Sequence, residues 1–462
     1  MILTLLGGGG FRVPLVYRAL MADRSAGRVT ELRLHDVDDQ RLTSIVKVLD
    51  ELAAGRDDAP RVVVAPDLAT ALAGTDFIFS AMRVGCTEGR ATDEAICLDH
   101  HIIGQETLGA GGISYALRGI PVALALAAAV REHAPDAWLI NFTNPAGIIT
   151  QVLRSELGER VVGICDSPVG LARRVLTTLQ GAGLVRSDAG PVGLGGSGVR
   201  MDYLGLNHLG WLQGLVVDDV DVLPLLLERA DLVESFEEGK LFGFRLVQAL
   251  GSVPNEYLHY FYFTREDLAI DLANDAPRGK FLAAQQGRFY EAVADLDGRP
   301  GAFELWNRTR LEREQTYMAS NREAAGNFER DEADLETGGY DQVALAIMHA
   351  IANDVPATLV LNVPNAGTIP ELADDDVIET VCRIDASGIV PLPVSPLPDH
   401  ARGMVVNQKF VERSVISAAR TGSRRDALLA LLQHPLVDSF GVAEQVLDEM
   451  IATFGDELAY LR

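Results

Sequence analysis

The chain reads as an α/β protein whose N-terminal part is a doubly wound parallel sheet. Three observations predict it. A short apolar run, Ile2 to Leu6, leads into Gly7-Gly8-Gly9-Gly10 and then into a segment of helical spacing, Val13 to Met21. Apolar strand-like stretches then alternate with helical ones to about residue 170, the mark of buried parallel strands joined by crossover helices. Past Ser167 that alternation stops, and longer helical segments with aromatic clusters follow.

At 462 residues the chain is too long for one ordinary core. We read a Rossmann-type domain over residues 1–170 and an α+β domain over 171–462. With no repeat, low-complexity tract or linker between them, the two are expected to interlock. Forty basic against 65 acidic side chains give a net charge of -25. That balance disfavours nucleic acid or an anionic membrane as partner but leaves room for a local pocket of arginines. Four cysteines, Cys86, Cys97, Cys165 and Cys382, show no paired spacing, which argues for a reducing compartment rather than a disulfide scaffold. The N-terminus lacks the basic lead of a signal peptide. The longest apolar run, Ile120 to Val130, lies between Arg118 and Arg131 and is too short to span a bilayer. A cytoplasmic protein is expected.

In order, strand Ile2 to Leu6, the glycine run and the following helix form the context of a dinucleotide turn: glycines let the backbone approach a pyrophosphate at a helix N-terminus. The strict Gly-x-Gly-x-x-Gly spacing is not met, because Arg12 holds the third position. The next strand, Glu31 to His35, ends in Asp36-Val37-Asp38. An acid there suits ribose hydroxyls and favours NAD over NADP, while Asp38 also suits a helix cap. A helix (41–54), a strand (61–64), a short helix (66–73) and a strand (76–81) continue the pattern. The stretch from Arg83 to Gly112 reads as ligand-facing loop, with Arg83 and Arg90 suited to an anion. A helix (120–132) and a strand (137–140) end in Asn141-Phe142-Thr143-Asn144-Pro145, where Asn141 is the candidate ligand contact and Asn144 a turn residue.

The next strand delivers Cys165 and Asp166, and a later loop delivers His208 between Gly205 and Gly210. A thiolate and an imidazole together suit one divalent metal with open positions for substrate. Two short strands are expected around Gly193 to Gly196. The aromatic segment 253–262 contains Tyr257, Tyr260 and Tyr262; a buried tyrosine with a lowered pKa beside a metal is a candidate base. Arg278 follows Pro277, and the polar region 303–335 reads as a solvated helix or mobile loop. Amphipathic helices at 338–352 and 441–454 bracket a strand at 358–363.

Taken in order along nearly the whole chain, these motifs resemble glycoside hydrolase family 4, most of all its 6-phospho-β-glucosidase members. They are the glycine run, Arg83-Val84-Gly85 with Arg90, Ile103 to Thr107, Asn141 to Gly147, Gly163 to Asp166, Gly205 to His208 and Val253 to Phe261. The resemblance implies a lactate/malate dehydrogenase-like fold, bound NAD+ and Mn2+ or another divalent cation, and a homodimer or homotetramer. The partner it implies is a small phosphorylated glycoside. It also implies an exception to two-carboxylate glycosidases: oxidation at sugar C3, removal of the C2 proton, elimination of the aglycone, then water addition and return of the hydride. Carried over by position, Cys165 and His208 are the metal ligands, Tyr257 the base, and Glu106 the carboxylate that raises its basicity. Arg90, Asn141 and Arg278 contact substrate, with Arg278 at the 6-phosphate. Gly7, Gly8, Gly9 and Asp36 hold NAD.

Three departures from the family pattern stand out. Gly10, Phe11 and Arg12 occupy positions where the family commonly has serine and threonine. Asp166 replaces an asparagine frequent in β-acting members, and in α-acting members that aspartate is assigned as general acid. Ala276-Pro277-Arg278 replaces a threonine-arginine pair. Substrates with an α-linkage or without phosphate are the alternatives within the family. A 2-hydroxyacid dehydrogenase is a remote one, against which the Cys165–His208 pair argues, as it also does against a non-catalytic NAD sensor.

Overall fold

The computed structural model describes residues 1–190, 192, 198–331 and 339–462. Gly193 to Gly196, the end of the polar region at 332–335 and the start of the helix expected from 338 lie outside them. The sheet contains β1 (Ile2–Leu6), β2 (Glu31–His35), β3 (Arg61–Val64), β4 (Phe77–Ser80), β5 (Trp138–Asn141), β6 (Val161–Gly163) and β7 (Val199–Leu206). It continues through β8 (Leu209–Val217), β9 (Val220–Asp221), β10 (Val253–Pro254), β11 (Ala357–Pro364), β12 (Val377–Asp385) and β13 (Gly388–Pro391). The first six run parallel in the order β3-β2-β1-β4-β5-β6, which is the Rossmann order with its crevice between β1 and β4.

The sheet does not stop near residue 170. β6 pairs antiparallel with β11 through Gly163 and Asn362, and β12, β7, β8 and β10 extend it, with β13 on β12 and β9 on β8. Glycine is what lets the two halves meet: a Cβ at Gly163 would stand 2.2 Å from Thr150 Oγ1 and 2.8 Å from Asn362 Cβ. The apolar cores interlock as well. Phe289, Trp306 and Tyr340 pack in one cluster with Leu3, Leu5, Leu34 and Phe79.

Two expectations are corrected. The loop expected between Arg83 and Gly112 is largely helix, Cys86–Asp99. It carries no apolar stripe, because its packing includes the buried ion pair of Asp93 with Arg118, 2.6 Å apart. The glycine patch opens a second helix, Gly109–His133, so that helix begins well before Ile120. Gly111 and Gly112 are small because the preceding loop lies on this first turn: a Cβ would meet Gln105 O at 2.5 Å and Thr107 C at 2.4 Å. This helix is long and apolar enough to cross a membrane by length and composition, and 67% of its most apolar window is buried in the protein.

Candidate active site

The glycine turn lies at the carboxyl end of β1. Gly7 has φ of 85°, and a Cβ there would be 2.6 Å from Ala81 O. Gly8 and Gly9 do not face the cavity. Each lets the turn pack closely, Gly8 against Leu34 and Gly9 against Arg41 and Leu42. The Gly9 N–H donates to Asp36 Oδ2 at 2.8 Å, and Asp36 Oδ1 accepts from Asp38 N at 3.0 Å. Asp38 caps the next helix through Arg41 N. Three aromatic residues from the C-terminal half pin the turn by its carbonyls: Tyr290 OH to Gly9 O at 2.7 Å, Trp306 Nε1 to Phe11 O at 2.8 Å and Tyr340 OH to Arg12 O at 2.9 Å. Phe11, where the family pattern has a hydroxyl, packs edge-on against Phe289 with centroids 5.2 Å apart.

A cavity of about 780 Å³ opens at the turn. Gly7, Arg90, Glu106, Cys165, Asp166 and His208 line it, as do Tyr257 and Arg278. His208 sits in the two-residue link between β7 and β8 with φ of 64°, a conformation a non-glycine residue holds only under constraint. Its ring stacks on Tyr257, centroids 3.8 Å apart and planes at 20°. Gln105 Oε1 accepts from Thr107 N at 2.5 Å and Leu108 N at 2.9 Å, which fixes Thr107 so that its hydroxyl lies 2.8 Å from His208 Nδ1. With Nδ1 engaged there, Nε2 is the ring nitrogen suited to a cation. Burial lowers the His208 pKa to about 4, so the ring is a neutral donor at ordinary pH.

Cys165 is buried just beyond β6. Burial, then Glu379, pushes its thiol well above the ordinary value. A thiol and an imidazole fit a borderline divalent cation, which would draw the thiol proton off. No group of three or more His, Cys, Asp or Glu is poised for a metal among the described residues, so the other positions fall to substrate oxygens and water.

Tyr257 is held by its neighbours. Its N–H donates to Asn255 Oδ1 at 3.1 Å. Its hydroxyl lies 3.1 Å from that of Tyr317, which lies 3.2 Å from Glu256 Oε1. Ser167 Oγ donates to the same Glu256 oxygen at 2.7 Å. Burial, followed by the charge of Glu256, raises the Tyr257 pKa rather than lowering it. Burial, then Glu238, raises that of Glu256 to about 7. The reading at the sequence level missed Tyr317, since it belongs to the region read as solvated. That region instead forms helices Ala302–Gln315 and Ala319–Ala324, with Trp306 fully buried.

Several expected roles change. Asn141 is fully buried and its amide donates to Thr143 O and Thr150 Oγ1, each at 3.1 Å. It is part of the packing beneath the site, and Asn144, expected to be a turn residue, lines the cavity instead. Arg83 and Arg90 both face the cavity, but both pair with Glu106, and Arg90 Nε also binds Glu94 at 2.7 Å. Burial works against the Glu106 charge, yet Arg83 and Arg90 hold its pKa far below the ordinary value. Glu106 is thus the ion-pair partner of these two arginines, and its charge, after burial and Glu256, is among the causes that raise the Tyr257 pKa, in the direction expected of it. Asp166 precedes helix Ser167–Gly181 without capping it by its side chain. Arg278 donates to Thr316 O, Thr316 Oγ1 and Arg313 O, the last at 3.1 Å.

A Rossmann crevice joined to a cavity that gathers a thiol, an imidazole and a phenol is the arrangement of an α/β enzyme whose crevice suits a nucleotide. The chain belongs to family 4 of the glycosyl hydrolases: residues 2–180 match the family model and residues 203–437 the model of the family's C-terminal domain. It is 30% identical to a protein of Bacillus subtilis (strain 168) named "probable 6-phospho-beta-glucosidase", over 96% of this chain and 94% of that one. It is 28% identical to the 6-phospho-β-glucosidase of Escherichia coli (strain K12), over 96% and 93%. Among solved structures, the Thermotoga maritima 6-phospho-β-glucosidase with NAD and glucose-6-phosphate superposes with a TM-score of 0.78 at 24% identity, covering 98% of both chains. A 6-phospho-α-glucosidase from gut microorganisms with NAD and Mn2+ gives 0.78 at 24%, covering 99% of this chain and 98% of that one. At these identities the superpositions speak for the fold.

Proposed function

We propose that the chain hydrolyses 6-phospho-β-glucosides, using bound NAD+ and a divalent cation such as Mn2+. The observation that carries this reading is the stack of neutral His208 on Tyr257, 3.8 Å apart, in the cavity that Cys165 and the glycine turn also line. Gly7 and the helix beginning at Val13 are suited to the dinucleotide, with Asp36 suited to its ribose. Cys165 and His208 Nε2 would hold the cation. Bound together, the two groups would supply reversible hydride uptake from the sugar and polarisation of its oxygens.

Tyr257 is the base in this reading. Burial and Glu256 make it reluctant to ionise alone, so it becomes competent only where positive charge is close. Tyr317 orients its hydroxyl and connects it to Glu256, a path for the proton into the protein. Arg83 and Arg90 keep Glu106 charged close by. Asn144 is placed to contact the sugar. One observation favours a second reading, an α-linked substrate: Asp166 lines the cavity without serving as a cap, as a general acid would.

The test is hydrolysis of nitrophenyl 6-phosphoglucosides of both anomers, with and without NAD+ and Mn2+. Activity on the β-anomer should fall by at least about 100-fold when either is removed. Turnover that survives thorough removal of NAD+ would sink the mechanism, and turnover of the α-anomer alone would select the second reading.

A further inference from the structure

Among the described residues, nine arginines line the cavity. Seven are engaged: Arg41 pairs with Asp38 and Glu88, Arg174 with Glu238 and Arg330 with Glu237, and Arg173 has a partner as well. Arg83 and Arg90 bind Glu106, and Arg278 ties Thr316 and the Arg313 carbonyl to its own helix. The other two differ. Among the described residues neither Arg12 nor Arg313 has a side-chain hydrogen bond or an ion pair. Arg12 lies only over aromatic faces, 5.1 Å from the Tyr340 centroid and 6.0 Å from that of Phe142.

Trp306 donates to Phe11 O, which brings helix Ala302–Gln315, carrying Arg313, against the turn that carries Arg12. Burial, then the charge of Arg12, pulls the Arg313 pKa down to about 9. Burial, then Arg90, pulls that of Arg278 down to about 10. Buried guanidinium groups ordinarily meet carboxylates or phosphates. Glu314 reaches both Arg12 and Arg313 by charge, and Asp166 reaches Arg12. No hydrogen bond joins either arginine to a carboxylate among the described residues, so their donors stay open to an anion. Two planar forks arriving from different elements, the glycine turn and helix Ala302–Gln315, can share the oxygens of one tetrahedral oxyanion.

We propose that Arg12 and Arg313 form the clamp for the phosphate ester of the substrate sugar, and that this pair, rather than Arg90 or Arg278, imposes the requirement for a charged glycoside. The proposal rests on the glycosidase reading above and narrows its substrate class. It also accounts for Arg12 standing in the stretch after the glycines where the family pattern has serine and threonine. Arg278 becomes a positioning residue, since its hydrogen bonds to the 313–316 backbone hold Arg313 in place.

The test is calorimetric titration of the NAD+-loaded, full-length protein with glucose 6-phosphate and with glucose, for the wild type, Arg12→Gln and Arg313→Gln. The wild type should bind the phosphate at least about 30-fold more tightly than glucose. Each variant should lose about 10- to 100-fold for glucose 6-phosphate, the range of one charge-assisted contact, with glucose affinity and NAD+ affinity within about threefold of wild type. A wild type without that preference, or two folded variants that keep it, would overturn the clamp. So would an equal loss of NAD+ affinity in Arg12→Gln, which would assign Arg12 to the dinucleotide. If Arg12→Gln does not fold, Arg313→Gln decides alone, because Arg313 lies on helix Ala302–Gln315 and not in the turn itself. Binding is read without turnover, so failure of the clamp and failure of the glycosidase mechanism give different results.

Discussion

Single side chains decide what the cavity can do. The Tyr257 hydroxyl has Tyr317 as its side-chain partner among the described residues. Tyr317→Phe should therefore lower kcat by about 10- to 100-fold, with KM changed less, because orientation of the base is lost while sugar contacts stay. Steady-state kinetics check it, and an unchanged kcat would remove Tyr317 from the proton path. The two asparagines divide differently. Asn141→Ala strands Thr150 Oγ1 and two carbonyls in a buried setting, so it should cost about 2–3 kcal/mol of stability in denaturant unfolding. Asn144→Ala should leave stability nearly intact and raise KM. Residue type and local spacing cannot tell these two apart. The backbone after β5 makes the first face inward and the second face the crevice.

At the scale of elements, the hairpin of β7 and β8 carries His208, and β12 steadies it. Glu379 on β12 accepts from Tyr203 OH at 3.2 Å, Asn207 Nδ2 at 3.0 Å and Asn362 Nδ2 at 3.1 Å. Burial nevertheless raises its pKa to about 7 from the ordinary 4.5. The folded protein thus keeps a proton that the unfolded chain releases earlier. The stability it contributes is full below about pH 4.5 and is lost as pH rises through about 7. Glu256, also near 7, acts in the same window. Glu379→Gln removes only the first titration, so its melting temperature should fall less than that of the wild type between about pH 5 and pH 8. Parallel profiles would refute the assignment. The glycine turn is a second such element, since its shape depends on Tyr290, Trp306 and Tyr340 as much as on its own glycines.

For the molecule as a whole, one sheet runs through both halves, and its joint is the Gly163–Asn362 pair. Gly163→Ala forces a methyl into Thr150 and Asn362. We expect at least about 2–3 kcal/mol of destabilisation, seen as one cooperative transition at a lower midpoint and not as loss of one half alone. Two separated transitions would show that the halves are energetically independent. The joint also sets the site, because Cys165 leaves β6 just beyond it while His208 arrives from the antiparallel side.

Local pattern was enough for the parallel half. Apolar runs of strand length, helical spacing between them and glycines at the first turn are short-range signals, and β1, β2 and β3 fall where those signals put them. The candidate cysteine and histidine were legible for the same reason, each flanked by turn residues at the end of a strand. Assembly alone decided the rest. Glu106 meets Arg83 and Arg90 across a turn that no periodicity marks, Tyr317 and Arg313 come from a stretch polar enough to pass for solvated, and helix Cys86–Asp99 has no apolar stripe to announce it. Charge pairing and burial of polar groups depend on which segments fold against each other, and that information lies in the packed chain rather than in any window of residues.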